Sequence, residues 1–362
     1  MLAALSALLA SCKRVEAEAQ TAGATVGILV NPDPDPLIGD TKAADYSASA
    51  SEKKITDYTI LFFADRADGD VTLIKSGKPG KTSPLTFSLG GVSYDSYRVY
   101  AVCNCGDLVK GVKTEKELLA LAVDLPAYNS HDDLIMIGYA DLEVNSETAS
   151  TTINVRRLVS RVSIRTVTNK LSQDLTLKAA YLTNVVGNQV LGETASASTW
   201  YNRYGLTEVP TSDIEGHTIT TSTGCEPAVK TIGSSVEAGA STTLSECYLY
   251  CYPNTLATRQ ADQYEEGTAF SPTATYVVLE AVAATDGKTR YYQFPLSYNA
   301  EDKRKMFGIE GALDANHAYS VDVTIKTLGS EKITDLTTDG FLTVTITVID
   351  WNTSSGVQTF EM

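Results

Sequence analysis

The chain has 362 residues, 43% of them hydrophobic and 20% charged, with a formal net charge of −15. That length fits about two domains, and the acidic balance, with no Lys/Arg cluster interleaved with aromatics, excludes a nucleic-acid-binding surface. Nineteen tyrosines against three histidines, with abundant Thr, Val and Ser, make a strand-forming composition.

Met1 to Ala10 is apolar, too short to span a membrane, and has the character of a signal-peptide h-region. Leu9-Ala10-Ser11-Cys12 reads as a bacterial lipobox, in which Cys12 becomes the lipidated first residue; the other reading is an ordinary signal peptide with an incidental cysteine. The basic n-region is missing, which places the expected start upstream. One lipid on Cys12 would hold the chain to a membrane surface without making it span.

Residues 13 to 22 read as a tether, and Ala24 to Val30 as a short strand with Val26, Ile28 and Val30 on one face. Asn31-Pro32-Asp33-Pro34-Asp35-Pro36 forbids regular structure. A polar loop from Gly39 to Ser51 follows, with Lys42 in its middle, the kind of segment proteases cut. Strands are expected at Ile55 to Ala64, Val71 to Ile74, Leu85 to Leu89 and Tyr97 to Cys105. Thr114 to Leu125 predicts the one clear helix. Thr114 caps it, Glu117 completes a capping box, and Leu118, Leu121 and Leu125 form its apolar stripe.

Thr151 to Val167 predicts a long strand region with Leu158, Val162 and Ile164 on one face and Arg157 and Arg161 on the other. From Asn169 the strand pattern restarts. Strands are expected at Leu175 to Val186, Cys247 to Tyr252, Tyr276 to Ala283, Arg290 to Leu296, Tyr319 to Leu328 and Phe341 to Ile349. Thr285-Asp286-Gly287-Lys288 forms a hairpin turn. The fold class is therefore mainly β, two β-sandwich domains with one short helix in the first.

Leu342, Val344, Ile346 and Val348 alternate with threonines, as in a half-buried strand. After Trp351 and a turn, Val357 to Met362 is a second short strand, either a frayed end or a strand meant for a neighbour.

Beyond Cys12, Cys103, Cys105, Cys225, Cys247 and Cys251 remain. Cys103 with Cys105, and Cys247 with Cys251, are expected to share a strand face, a poor geometry for disulfides. Five is odd, so at least one thiol stays free, and buried apolar thiols are the expectation. No nucleophile elbow, P-loop, zinc-protease helix, CxxC or EF-hand loop is present. Neither an enzyme, a metal nor a cofactor is indicated.

The order of features resembles the Bacteroidetes type V pilins, the fimbrillin family of major fimbrial subunits. Lys42-Ala43 ahead of Ile55-Thr56-Asp57-Tyr58-Thr59-Ile60-Leu61-Phe62-Phe63 is similar to the family's cleavage point and first mature strand. Val99 to Gly106 with Lys113 to Leu125 is similar to its strand–helix unit. Val155 to Ile164 resembles its basic strand. Ala315 to Ile325 resembles the penultimate-strand motif, and Val348-Ile349-Asp350-Trp351 the closing Trp motif.

The resemblance implies transthyretin-like sandwiches and a division into residues 1–12, signal peptide; 13–42, tether and removable strand; 43–168, first domain; and 169–362, second domain with a donor strand over 341–362. It implies lipid anchoring at the bacterial outer membrane, cleavage between Lys42 and Ala43 by a trypsin-like protease, and loss of the strand carrying Val26, Ile28 and Val30. The vacated groove would take the C-terminal strand of another pilin subunit, by donor-strand exchange, through Val344, Ile346, Val348, Trp351, Val357 and Phe360. The product is a head-to-tail homopolymer, a surface fimbria able to meet host or bacterial receptors. The alternative is a non-polymerising surface lipoprotein or tip subunit that binds a glycan or host ligand.

Overall fold

A computed structural model describes residues 23–32, 48–64, 70–78, 85–192, 199–201, 218–220, 225–254, 275–298, 309–310, 313–332, 342–350 and 358–361. Among them strands dominate, arranged as two successive pairs of sheets.

The first pair uses β1 (Ala24–Asn31), β2 (Tyr58–Ala64), β3 (Val71–Gly77), β4 (Leu85–Val92), β5 (Asp95–Cys103), β6 (Met136–Val144), β7 (Thr148–Asn154) and β8 (Arg156–Arg157). Its small sheet has the order β7-β1-β4 and its larger one β8-β6-β5-β2-β3. Between them lies a core containing Val26, Ile28, Val30, Ile60, Phe62, Val99, Ala101, Cys103 and Ile153. Gly138, in β6, lies against the corner at Asn154–Val155 where the chain passes from β7 to β8. A Cβ there would sit 2.0 Å from the Asn154 carbonyl oxygen, so no side chain fits.

The second pair uses β9 (Ser160–Asn169), β10 (Leu175–Thr183), β11 (Val229–Val236), β12 (Ser241–Thr243), β13 (Tyr248–Cys251), β14 (Tyr276–Ala283), β15 (Thr289–Pro295), β16 (His317–Ile325), β17 (Leu342–Asp350) and β18 (Gln358–Glu361). β9 pairs with β12 and β13 on one side and β16 on the other, followed by β17 and β18; the facing sheet runs β11-β10-β14-β15. Gly287, at φ +65°, turns the expected hairpin between β14 and β15. The larger core fills this pair and continues onto the far side of β2 and β5 through Leu61, Phe63, Tyr100 and Val102. That explains why every residue of β2 is buried rather than every second one.

Several details differ from the sequence reading. The region Thr151 to Val167 is three strands, not one, and β9, expected in the first unit, pairs only with later strands. The change of sheets falls at Leu158–Val159, ten residues before the expected boundary. The helix α1 covers only Glu115–Leu119. Its cap is as expected, with Thr114 Oγ1 accepting from Glu117 N–H at 3.1 Å, but Glu117 reaches the N–H of Lys113 rather than of Thr114. The helix stops early because Ala122–Asp124 is drawn into pairing with Asn188–Val190. A one-turn helix α2 (Leu125–Tyr128) follows, so the first unit holds two short helices.

Cys103 and Cys105 do not share a face. Asn104 adopts φ +58°, ends β5, and sends Cys103 into the smaller core and Cys105 into the larger. Cys103, Cys105, Cys225, Cys247 and Cys251 are buried free thiols. Burial pushes Cys105 and Cys251 up to about 12 and Cys247 up to about 11, far from a reactive thiolate.

Candidate functional site

β1 is the element whose seat is unusual. It enters at the chain's beginning and lies in the middle of its sheet, parallel to β7 from Thr25–Thr148 to Asn31–Asn154 and antiparallel to β4. Ala24, Val26, Ile28 and Val30 are at most 1% exposed, so the face expected to enter the core does so. Full burial of each of the three larger side chains is worth roughly 1.5–3 kcal/mol, an upper estimate against an extended chain. At its start, Gly23 crosses Gly91 so closely that a Cβ would lie 2.4 Å from the Gly91 carbonyl carbon. β4 and β7 pair with the same strand on opposite sides, and among the described residues neither pairs with the other.

The C-terminal candidates sit differently. β17 is interior, paired along nine residues with β16 and on its other side with β18. Leu342, Val344 and Ile346 are fully buried. β18 is an edge strand held by four pairings, Thr345–Glu361 to Val348–Gln358. Val348 and Phe360 are placed by backbone register, opposite Gln358 and Ile346. Val357 and Phe360 are an odd number of residues apart, so a regular strand cannot aim both at one groove, whereas Val344, Ile346 and Val348 share a face. Cys12, Lys42, Ala43, Trp351 and Val357 lie outside the described residues.

One cluster was not foreseen. Glu52, Arg157 and Arg161 are at most 1% exposed. The Glu52 carboxylate accepts from Arg161 Nη1 at 2.7 Å, Tyr250 Oη at 2.8 Å and the Ser49 N–H at 2.6 Å. Its carbonyl accepts from Arg157 Nε at 2.9 Å. Burial, then the Glu52 charge, drives the Tyr250 phenol far above its ordinary range and keeps it a donor. The arginines expected on an open strand face are thus enclosed, because β9 is covered on both sides. A signal was present: arginines that alternate with Leu158, Val162 and Ile164 in strands packed on both faces need a buried acid. Its partner was hidden 105 residues away for Arg157 and 109 for Arg161.

This cluster ties the segment after the loop at 33–47 to strands of both sheet pairs. Removing one member of a buried ion pair typically costs about 3–5 kcal/mol. Glu52 therefore anchors the segment from Ala48 onward independently of β1.

Residues 38–157 match the family model described as Major fimbrial subunit protein (FimA). No curated protein matches the sequence. Among solved structures, the chain is similar to a fimbrilin (FimA) from Porphyromonas gingivalis W83, with TM-score 0.61 and 16% identity, covering 93% of this chain and 100% of that one. It is also similar to the tip fimbrial protein Mfa3 of Porphyromonas gingivalis, with a C-terminal truncation, at TM-score 0.52 and 10% identity over 90% of this chain and 100% of that one. The matched segment covers the first sheet pair from β2 to β8, with β1 preceding it, and the chain has a fimbrilin-like β-sandwich fold.

Proposed function

We propose that this subunit of cell-surface fimbriae is made as a lipid-anchored precursor, cut after Lys42, and polymerised by replacing β1 with the C-terminal region of another copy. The observation that carries the reading is the seat of β1. Among the described residues it alone pairs with both β4 and β7, it buries a full apolar face, and it precedes the polar sequence 33–47 in the chain. Cutting at Lys42 severs β1 from everything that follows except by non-covalent contact. Its departure leaves two rows of unpaired backbone groups and an apolar trough, which demand another strand. Glu52 keeps the new N-terminal segment in place.

The filling strand comes from residues 341–362. β18 is released first, since it is a short edge. β18 leads the insertion, so its loss prevents assembly; β17 follows it with the alternation of the departed strand, Leu342, Val344, Ile346 and Val348 matching Ala24, Val26, Ile28 and Val30. Donor and trough are different surfaces, so the assembly is an open head-to-tail filament.

The test is limited digestion of purified precursor with a trypsin-like protease, followed by an unboiled gel and N-terminal sequencing. Intact protein is expected to start at Ala43 and to give a ladder of stable oligomers. A chain lacking Asn352 to Met362 is expected to be cut equally well and to give no ladder. Equal ladders from both, or assembled subunits that retain Cys12, would overturn the reading. The Cys12→Ala precursor is expected to lose lipid and surface display.

A further inference from the structure

The segment Leu125–His131, α2 and the three residues after it, overhangs an open cavity of about 250 Å³ whose opposite wall is made by residues 226–230 and 246–250. The overhang is pinned: Asn129 Nδ2 donates to Tyr252 Oη at 2.9 Å, and His131 Nδ1 lies 2.7 Å from Tyr250 Oη. The Tyr250 proton is committed to Glu52, so His131 donates to Tyr250 Oη through Nδ1. The cavity lining includes Ser130, His131, Glu226, Lys230, Glu246 and Tyr248. Tyr248 is half-buried and braced, with the Arg161 guanidinium 4.6 Å from its ring centre and the His131 ring at 5.3 Å.

Glu246 stands out on separate grounds. Four non-glycine residues among those described have positive φ; three are Asn104, Asn184 and Asn316, which tolerate it, and the fourth is Glu246 at +53°. A glycine or asparagine would fit that turn better, and the strained residue is a carboxylate on the cavity wall.

We infer that this cavity binds a neutral saccharide, with Tyr248 as the platform for the apolar face of a pyranose ring and Glu226, Glu246 and Lys230 as partners for its hydroxyls. Carboxylates beside a rigid aromatic ring suit a ligand rich in O–H donors. Two acids against one lysine disfavour an anion. No group of three or more metal-binding side chains occurs among the described residues, so a cation held by the acids is not the match. The site does not depend on how the subunit polymerises, and it is read in uncut monomer.

The test is saturation-transfer-difference NMR on uncut protein with maltotriose, cellotriose and tri-N-acetylchitotriose as probes, beside a lysine-rich peptide. At least one trisaccharide is expected to give ring-proton signals that Tyr248→Ala abolishes. Glu246→Gly is expected to weaken binding about tenfold or more, the loss of a charge-assisted hydrogen bond, while its melting temperature stays level or rises, because glycine relaxes the left-handed turn. Weaker binding in a protein at least as stable separates ligation from folding. Silence from all three sugars, unchanged binding by Glu246→Gly, or signals from the peptide alone would overturn the proposal.

Discussion

The first and last of the described strands are seated in opposite ways. β1 is an interior strand paired on both sides, while β18 is an edge strand paired only with the core strand β17 among the described residues. Burial alone does not separate β1 from β17, since Ile28 and Ile346 are 1% and 0% exposed. What differs is the consequence of loss. Removing β18 shortens a sheet; removing β1 divides one.

Deleting each end in turn gives the largest contrast. A precursor lacking Ala24–Asn31 loses three large buried side chains, at roughly 1.5–3 kcal/mol each, and both ladders of the small sheet. It is expected to be aggregated or oligomeric on size-exclusion chromatography. A chain lacking Gln358–Glu361 is expected to remain a folded monomer. Monomers from both would dissolve the contrast.

The junction comes next. Glu52→Ala leaves Arg161 buried without its acid and is expected to cost about 3–5 kcal/mol, read as a lower urea midpoint. The same substitution is expected to make residues 48–54 sensitive to protease before β1 is released.

Matched substitutions sharpen the comparison further. Ile28→Ala and Ile346→Ala are each expected to cost about 2–5 kcal/mol in the uncut precursor. After digestion at the loop and release of β1, only Ile346→Ala is expected still to alter the stability of the product. A persistent Ile28→Ala effect would mean that β1 stays bound.

The smallest effect lies at the β14–β15 hairpin, far from either end. The Asp286 carboxyl is held below the usual range first by the Lys288 N–H and then by Arg290, and Glu331 first by the Lys288 ammonium and then by Arg290. Groups lowered in this way add stability above their ordinary pKa of about 4. That contribution fades as pH falls through their lowered values. Glu331→Gln is expected to flatten slightly the acid side of the melting curve, with little change at pH 7, because these groups are exposed.

Much of this was legible locally. The alternation of Val26, Ile28 and Val30, the turn at Gly287 and the Thr114 cap are written in neighbouring residues, and the structure has them where the pattern put them. β6 escaped notice although Ala140, Leu142 and Val144 alternate with Tyr139, Asp141 and Glu143. Its first two residues, Met136 and Ile137, are both buried, one in each core, and hide the period. The length of α1 also escaped, because Leu121 and Leu125 fit a helix stripe equally well as they fit the strand pairing that claims Ala122–Asp124.

The sequence by itself determined that this is a β-protein and which face of β1 turns inward, because the period of apolar residues acts over a few positions. Only the tertiary structure decided that β1 sits between β4 and β7, that β9 joins the second sheet pair and that Arg161 closes on Glu52. Those outcomes depend on contacts between residues far apart in the chain, such as Val30 with Leu85, Thr25 with Thr148 and Arg161 with Ala318, whose closure no local pattern encodes.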